Sequence, residues 1–226
     1  MAPLRGIGAC VFDAYGTLLD VASAAHRCRH ELGDKLDPLN AIWRDKQLQY
    51  TWLRSLQDRH ADFLQVTGDA LDFALDALGI AEPGLRERLL DLYRTLDAYP
   101  EVPATLARLR KAGLKTAILS NGTPDMLEAA SKAAGIDRLL DHILSVEAVG
   151  TYKPHPSVYR LAVERLALPA DSIAFVSSNG WDAYGASAFG MRVIWCNRRG
   201  QCAERLPGRP DAVVGSLDAI PDLLGA

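Results

Sequence analysis

Apolar positions along the chain fall into two alternating patterns. Short runs rich in β-branched residues, IGACVFDAYG, LKTAILSNG, HILSVEAVG, SIAFVSSNG and MRVIWCN, each end in small or polar residues and read as buried strands. Between them, ATLARLRKAG, DMLEAASKAAG and PSVYRLAVERLAL carry apolar residues at helical spacing, several stopping at Gly or shortly before Pro or Asp. This alternation predicts an α/β fold with a parallel sheet and helices on both of its faces. Ligands in such sheets bind beyond the carboxyl ends of the strands, which is where Asp13, Ser120, Asn121, Ser177 and Asn179 emerge.

One interval breaks the rhythm. The first strand ends near Asp13, yet alternation resumes only near Pro103, and the stretch between reads as helical throughout. That is too long for a crossover and predicts an inserted helical cap, built on LNAIWRDKQLQYTWLRSLQ, TGDALDFALDALG and GLRERLLDLYRTL. The expected division is a core of residues 1–20 and 99–226, with a cap of residues 21–98. Arg44, Leu48, Thr51 and Ser55 share one helix face by their spacing, so a closing cap would aim Arg44 at the strand ends.

Composition narrows the function classes. With 226 residues, 49% of them hydrophobic and 23% charged, the chain has material for a substantial core. A formal net charge of -3 supplies no basic field for a nucleic-acid backbone or an acidic membrane surface. No apolar segment approaches a membrane span in length, which predicts a cytoplasmic protein with neither nucleic-acid nor membrane partners. The four cysteines, Cys10, Cys28, Cys196 and Cys202, include no CxxC pair, and Cys10 sits in an apolar run as a small core residue. His26 and His30 stand four apart with Cys28 between them, but no local spacing completes a zinc site, and a solvated Arg-rich helix face is expected there.

Asp13 stands at the end of an apolar strand in DAYGTLL, before a Gly-containing turn. A carboxylate in that place can be a nucleophile, a metal ligand, a general base or a cap for the turn. The other strand ends add weight to chemistry: LSNGT presents Ser120 and Asn121, TYKPHP presents Lys153 before a Pro-limited helix start, and SSNGWD presents Ser177, Ser178, Asn179 and Asp182.

These segments, in this order, resemble the four motifs of the haloacid dehalogenase superfamily, and in detail its 2-haloacid dehalogenase branch. DAYGTL corresponds to the first motif, LSNG to the second, YKPHP to the third and SSNGWD to the fourth, while WRDKQLQYTWLRSL is similar to the cap helix of these dehalogenases. The resemblance covers nearly the whole chain and implies a Rossmann-like core. Phosphotransferring members usually carry a second Asp two residues after the nucleophile, where this chain has Tyr15, and acidic residues in the fourth motif, where it has Ser177, Ser178 and Asn179. An alkoxide leaving group wants a proton from that second acid, whereas chloride or bromide needs only stabilising donors. One nucleophilic carboxylate plus Asp182 is also a poor oxygen cage for magnesium. A magnesium-dependent phosphatase is therefore the competing enzyme reading, and a non-catalytic small-acid binding protein the competing reading of another class.

The resemblance implies hydrolysis of a short (S)-2-haloalkanoic acid to the (R)-2-hydroxy acid by way of an ester on Asp13, without metal or cofactor and in a homodimer. It implies that Lys153 keeps Asp13 ionised, that Ser120 holds the substrate carboxylate and that Thr17 orients Asp13. Arg44, Asn121 and Trp181 would cradle the departing halide, their guanidinium, amide and indole N–H groups all being donors. Asn179 and Asp182 would position and activate the hydrolytic water, with Ser177 and Tyr159 supporting Lys153 and the active-site hydrogen bonding. Tyr15, Leu48 and Phe63 would wall the alkyl pocket. One departure is Asp45, which follows Arg44 where the family pattern has Gln, and which would weaken the positive cradle if it turned inward.

Overall fold

The computed structural model describes residues 3–226. Six strands form one parallel sheet: β1 (Ala9–Phe12), β2 (Lys115–Ser120), β3 (His142–Ser145), β4 (Ile173–Ser177), β5 (Arg192–Cys196) and β6 (Ala212–Val214). Their order is β3-β2-β1-β4-β5-β6, so the direction of winding reverses between β1 and β4. Every residue of β1 is buried, as is every residue of β4, because strands flanked on both sides and covered on both faces contribute only core. At about 1.5–3 kcal/mol for each large apolar side chain buried, these strands anchor the fold.

The connecting helices are α6 (Val102–Lys111), α7 (Pro124–Ala133), α8 (Pro156–Leu166) and α9 (Gly180–Phe189), with α10 (Ile220–Leu224) closing the chain. Right-handed crossovers assign α6 and α7 to one face and α8 and α9 to the other. Packing agrees, since α6 lies on α10 and α8 on α9. Local chemistry starts these helices: Thr123 caps α7 by accepting from the Met126 N–H at 3.3 Å, and Pro124 follows at the first helical position. Two elements escape sequence periodicity. GWDAYGASAF of α9 is buried over most of its surface and shows no polar stripe, and β6 is only three residues long.

Between β1 and α6 stand five further α-helices and no strand: α1 (Ala22–Arg27), α2 (Arg29–Leu32), α3 (Leu36–Leu56), α4 (Phe63–Ala77) and α5 (Leu85–Tyr93). The stretch leaves and returns at one point, where the Asp20 N–H donates to the Asp97 carbonyl at 2.8 Å and the Tyr99 N–H to the Leu18 carbonyl at 3.0 Å. Helices α3 and α4 pack along their length, and the Trp43 indole on α3 donates to the Thr67 carbonyl on α4 at 2.9 Å. The pair is fastened to the sheet side where the Tyr152 N–H donates to Ser55 Oγ at 3.2 Å and His60 meets Glu147 at 2.9 Å. The four cysteines are unpaired, and only Cys202 is exposed. His26 and His30 are exposed, and no cluster of three or more metal-ligating side chains occurs among the described residues.

Leu39, buried on α3, and Gln49, exposed on the same helix, give a direct test of which face carries the packing. Leu39→Ala should cost about 2–5 kcal/mol in urea denaturation, and Gln49→Ala should stay within about 0.5 kcal/mol.

Candidate active site

The site lies at the winding reversal, where β1 and β4 end side by side. The Asp13 N–H still donates to the Val176 carbonyl at 2.9 Å, which extends the ladder one residue past β1 and fixes the backbone beneath the carboxylate. Gly16 at φ +86° then turns the chain in a conformation that a side chain would strain. Three side chains donate to the Asp13 carboxylate. Lys153 Nζ approaches Oδ1 at 3.1 Å, while Thr17 Oγ1 at 3.2 Å and Asn179 Nδ2 at 2.7 Å both approach Oδ2. The Thr17 hydroxyl accepts from the Ser178 N–H at 2.8 Å, so its own proton is directed to Asp13. Asp13 is 6% exposed, a carboxylate kept from water by its donors.

Lys153 is a buried cation between two carboxylates. Its Nζ lies 2.8 Å from Asp182 Oδ2 in addition to its contact with Asp13, and the Tyr159 hydroxyl donates to Asp182 Oδ1 at 2.8 Å. Burial by itself would push the Lys153 pKa down, but the two anions outweigh it and hold the ammonium above the ordinary lysine range. Asp182 is pushed up, first by its complete burial and then by Asp13, against the pull of Lys153. Tyr159 and Tyr15 are both held well above the usual tyrosine value, chiefly by burial, and remain neutral. With both Asp13 oxygens in contact with donors and Asp182 engaged by Lys153 and Tyr159, the acidic groups here form an ion-pair site rather than an oxygen cage.

Ser177 and Tyr159 both enter the hydrogen bonding of the site, although neither bonds to Lys153, whose ammonium is taken up by carboxylates. Tyr159 fixes Asp182, and Ser177 Oγ accepts from the Asn179 N–H at 3.1 Å. The Asn179 amide reaches Asp13 directly. Ser120 is fully buried with Oγ accepting from the Gly122 N–H at 3.2 Å, which leaves its hydroxyl proton available. Asn121 Oδ1 accepts from the Lys153 N–H at 3.2 Å and so ties the loop after β2 to the Lys153 segment. Ser145, which the sequence did not single out, donates to the Gly122 carbonyl at 2.6 Å and holds the same loop.

Arg44 reaches down from α3. Its guanidinium donates to Asn179 Oδ1 at 3.3 Å and to Gln47 Oε1 at 2.7 Å. Arg44, Leu48, Asn179 and Trp181 line a cavity of about 250 Å³, and the Trp181 indole N–H is buried without a partner. Asn121 is absent from that lining, so the expected halide trio is brought together only for Arg44 and Trp181. Phe63 stacks on Tyr15 at 5.5 Å between ring centroids, with Tyr93 at 5.3 Å from Tyr15. Close approach of the Tyr15 ring requires Gly122, whose added Cβ would stand 2.8 Å from the Tyr15 hydroxyl. Asp45 is exposed at the cavity mouth and makes no ion pair with Arg44 among the described residues. Gln47, Tyr93 and Thr67 went unnoticed in the sequence, because buried polar residues on a helix carry no local signature.

Lys153→Met should lower stability at pH 7 by about 3–5 kcal/mol, since it strands two buried carboxylates. A carboxyl group with a raised folded pKa, as at Asp182, gains stability as pH falls, so the deficit should shrink on acidification. The Lys153 contribution in the parent protein is full below the ordinary lysine value of 10.5 and is lost as pH rises through the higher folded value. Urea titrations across this range measure both limbs.

Comparison with known proteins converges on one family. A profile of the haloacid dehalogenase-like hydrolases matches residues 7–190. The chain is 45% identical over 225 residues to (S)-2-haloacid dehalogenase 1 of Pseudomonas sp. strain CBS-3, covering 99% of this chain and 98% of that protein. It is 45% identical over 221 residues to the (S)-2-haloacid dehalogenase of Pseudomonas sp. strain YL, covering 97% and 94% of the two chains. Among solved structures, the L-2-haloacid dehalogenase of Xanthobacter autotrophicus with chloropropionic acid covalently bound has a TM-score of 0.91 and 37% identity, covering 97% of this chain and 99% of that one. With its reversed winding at Asp13 and this extent of similarity, the chain belongs to the haloacid dehalogenase-like hydrolases, in the branch that contains the (S)-2-haloacid dehalogenases.

Proposed function

We propose that the protein hydrolyses short (S)-2-haloalkanoic acids to (R)-2-hydroxyalkanoic acids. The observation that carries this reading is the Asp13 carboxylate, held by Lys153, Thr17 and Asn179 with Tyr15 where a proton-donating second acid would be needed for an alkoxide leaving group. An Asp13 oxygen attacks C2 from the side opposite the halogen, the carbon–halogen bond breaks with its electron pair on the halide, and an ester joins Asp13 to the substrate. Water then adds to the Asp13 carbonyl carbon and loses a proton, and the bond from that carbon to the ester oxygen breaks. The oxygen leaves on the product and takes up a proton. Because the second step spares C2, the configuration is inverted once. The covalently bound chloropropionic acid of the Xanthobacter relative supports this course.

Ser120 has a hydroxyl proton to offer the substrate carboxylate, and Lys153 adds positive charge beside Asp13. Thr17 and Asn179 orient the nucleophile. Arg44 and Trp181 supply donors as charge develops on the halogen, and Asn121, whose Oδ1 alone is taken by the Lys153 N–H, adds its amide NH₂. Asp182 is the base for water, because burial that raises its pKa makes it a stronger base than a surface aspartate. Ser177 and Tyr159 act through Asn179 and Asp182, and Tyr15, Leu48 and Phe63 wall the alkyl group. Residues 21–98 act as the cap that excludes water, over a core of residues 1–20 and 99–226.

The reaction needs no metal, because Lys153 and hydrogen-bond donors already meet the charge of Asp13. We further propose a cytoplasmic homodimer with no nucleic-acid or membrane partner: unpaired thiols suit a reducing compartment, and Leu53, Leu56 and Phe73 leave apolar surface exposed on α3 and α4. Sedimentation equilibrium should give twice the chain mass, and a monomer at micromolar concentration would remove the dimer.

Purified protein with excess chelator should release chloride from (S)-2-chloropropionate and not from the (R)-enantiomer, with the activity abolished in Asp13→Asn. Magnesium-dependent hydrolysis of a phosphate ester in place of halide release would overturn the assignment. A single turnover in ¹⁸O-water should put the label on Asp13 first, with unlabelled oxygen in the 2-hydroxy product.

A further inference from the structure

The cap side of the site holds a hydrogen-bonded assembly with a defined direction. Gln47 is fully buried on α3, one turn beyond Arg44. Its Oε1 accepts from Arg44 Nη1 at 2.7 Å and from the Tyr93 hydroxyl at 3.3 Å, and its Nε2 donates to Thr67 Oγ1 at 2.7 Å. The Thr67 hydroxyl donates its proton to the Phe63 carbonyl at 2.6 Å, a backbone acceptor inside α4. That last bond sets the polarity of the rest. With its proton committed, Thr67 Oγ1 can only accept from Gln47, so the amide must turn its NH₂ to Thr67 and its oxygen to Arg44. A flipped amide would face the guanidinium with donors against donors.

The far side of the guanidinium continues the chain toward the chemistry. Arg44 Nη2 donates to Asn179 Oδ1 at 3.3 Å, and Asn179 Nδ2 donates to Asp13 Oδ2 at 2.7 Å. Arg44 therefore has one anchor on its own helix and one on the core, across the cavity it lines with Trp181. A long flexible side chain held at both ends loses its freedom before substrate arrives, which is when preorganisation helps a developing charge.

We infer that Gln47 is a positioning residue for carbon–halogen cleavage: it holds the Arg44 guanidinium over the cavity in the orientation that meets the departing halide, and Thr67 holds Gln47. This rests on the dehalogenase reading above. The claim separates from mere packing because halides differ in how much stabilisation they need. Chloride, the poorer leaving group, leans harder on Arg44 than bromide does. Loss of positioning therefore changes their ratio, whereas a loss of folded protein lowers both rates alike.

The test uses Gln47→Met, which keeps an unbranched side chain of similar volume, Thr67→Val, and the double variant, each checked for folding by circular dichroism. With (S)-2-chloropropionate, Gln47→Met should lower kcat about 100-fold with KM changed by less than about threefold. Its chloro-to-bromo rate ratio should fall about fivefold or more, and Thr67→Val should move both quantities in the same direction by about a tenth of the kcat effect. The double variant should be no worse than Gln47→Met, because Thr67 acts only through Gln47. If Gln47→Met does not fold, Thr67→Val alone decides through the rate ratio. Unchanged turnover in the folded variants, or equal loss with both halides, overturns the inference. Failure of the parent protein to release halide overturns the dehalogenase reading instead. Iodide quenching of indole fluorescence then decides the positioning claim: weaker iodide binding in the variants supports it, and unchanged affinity overturns it.

Discussion

Three charges share one dry space at the end of β1 and β4, two carboxylates and a single ammonium, and much of the local structure exists to make that tolerable. Taking an ion pair out of water costs several kcal/mol for each ion before any attraction is counted, so each remaining lone pair must find a donor. Here Asp13 receives Lys153, Thr17 and Asn179, and Asp182 receives Lys153 and Tyr159. Complete burial, with Asp13 nearby, still raises the Asp182 pKa against the pull of Lys153. That raised pKa is an asset for proton chemistry, since a carboxylate desolvated by burial holds a proton more readily.

Those donors come from separate places in the chain. Asp13 follows β1, Asn179 caps α9 after β4, Lys153 precedes α8, and the loop after β2 is held by Ser145 and by the contact of Asn121 with the Lys153 N–H. The sheet order makes this convergence possible, because the winding reverses between β1 and β4 and leaves a crevice that no crossover fills. Backbone fixes most of these positions, through the ladder bond of Asp13 to Val176 and the Gly16 turn. Side-chain bonds then remove the remaining rotamer freedom.

The helices between β1 and β2 add what the sheet cannot. Arg44 descends from α3 to Asn179, so this helix and Asp13 are joined by two hydrogen bonds in series. Phe63 and Tyr93 close on Tyr15 from the same side, giving an apolar wall next to a polar floor. Burial of the groups beneath the cavity strengthens each electrostatic contact among them, which is what charge developing on a halide requires.

The sequence determined the alternation of strands and helices, the helical interval before Pro103, the strand-end positions of Asp13 and Ser120 and the place of Lys153 before a helix start, because periodicity and turn residues are local properties of the chain. Through the family resemblance the sequence also showed Tyr15 where phosphotransferring members carry a second acid, which argued against phosphate chemistry. Tertiary structure decided which donor meets which acceptor. It sent Asn179 to Asp13, Tyr159 to Asp182 and Ser177 to a backbone N–H, and it left Asn121 out of the cavity lined by Arg44 and Trp181. It also recruited Gln47, Thr67 and Tyr93, whose spacing of 20 and 46 residues from Gln47 carries no periodic signal. Hydrogen-bond partners are chosen by angles and distances of a few tenths of an ångström between distant segments, and only the folded chain sets those.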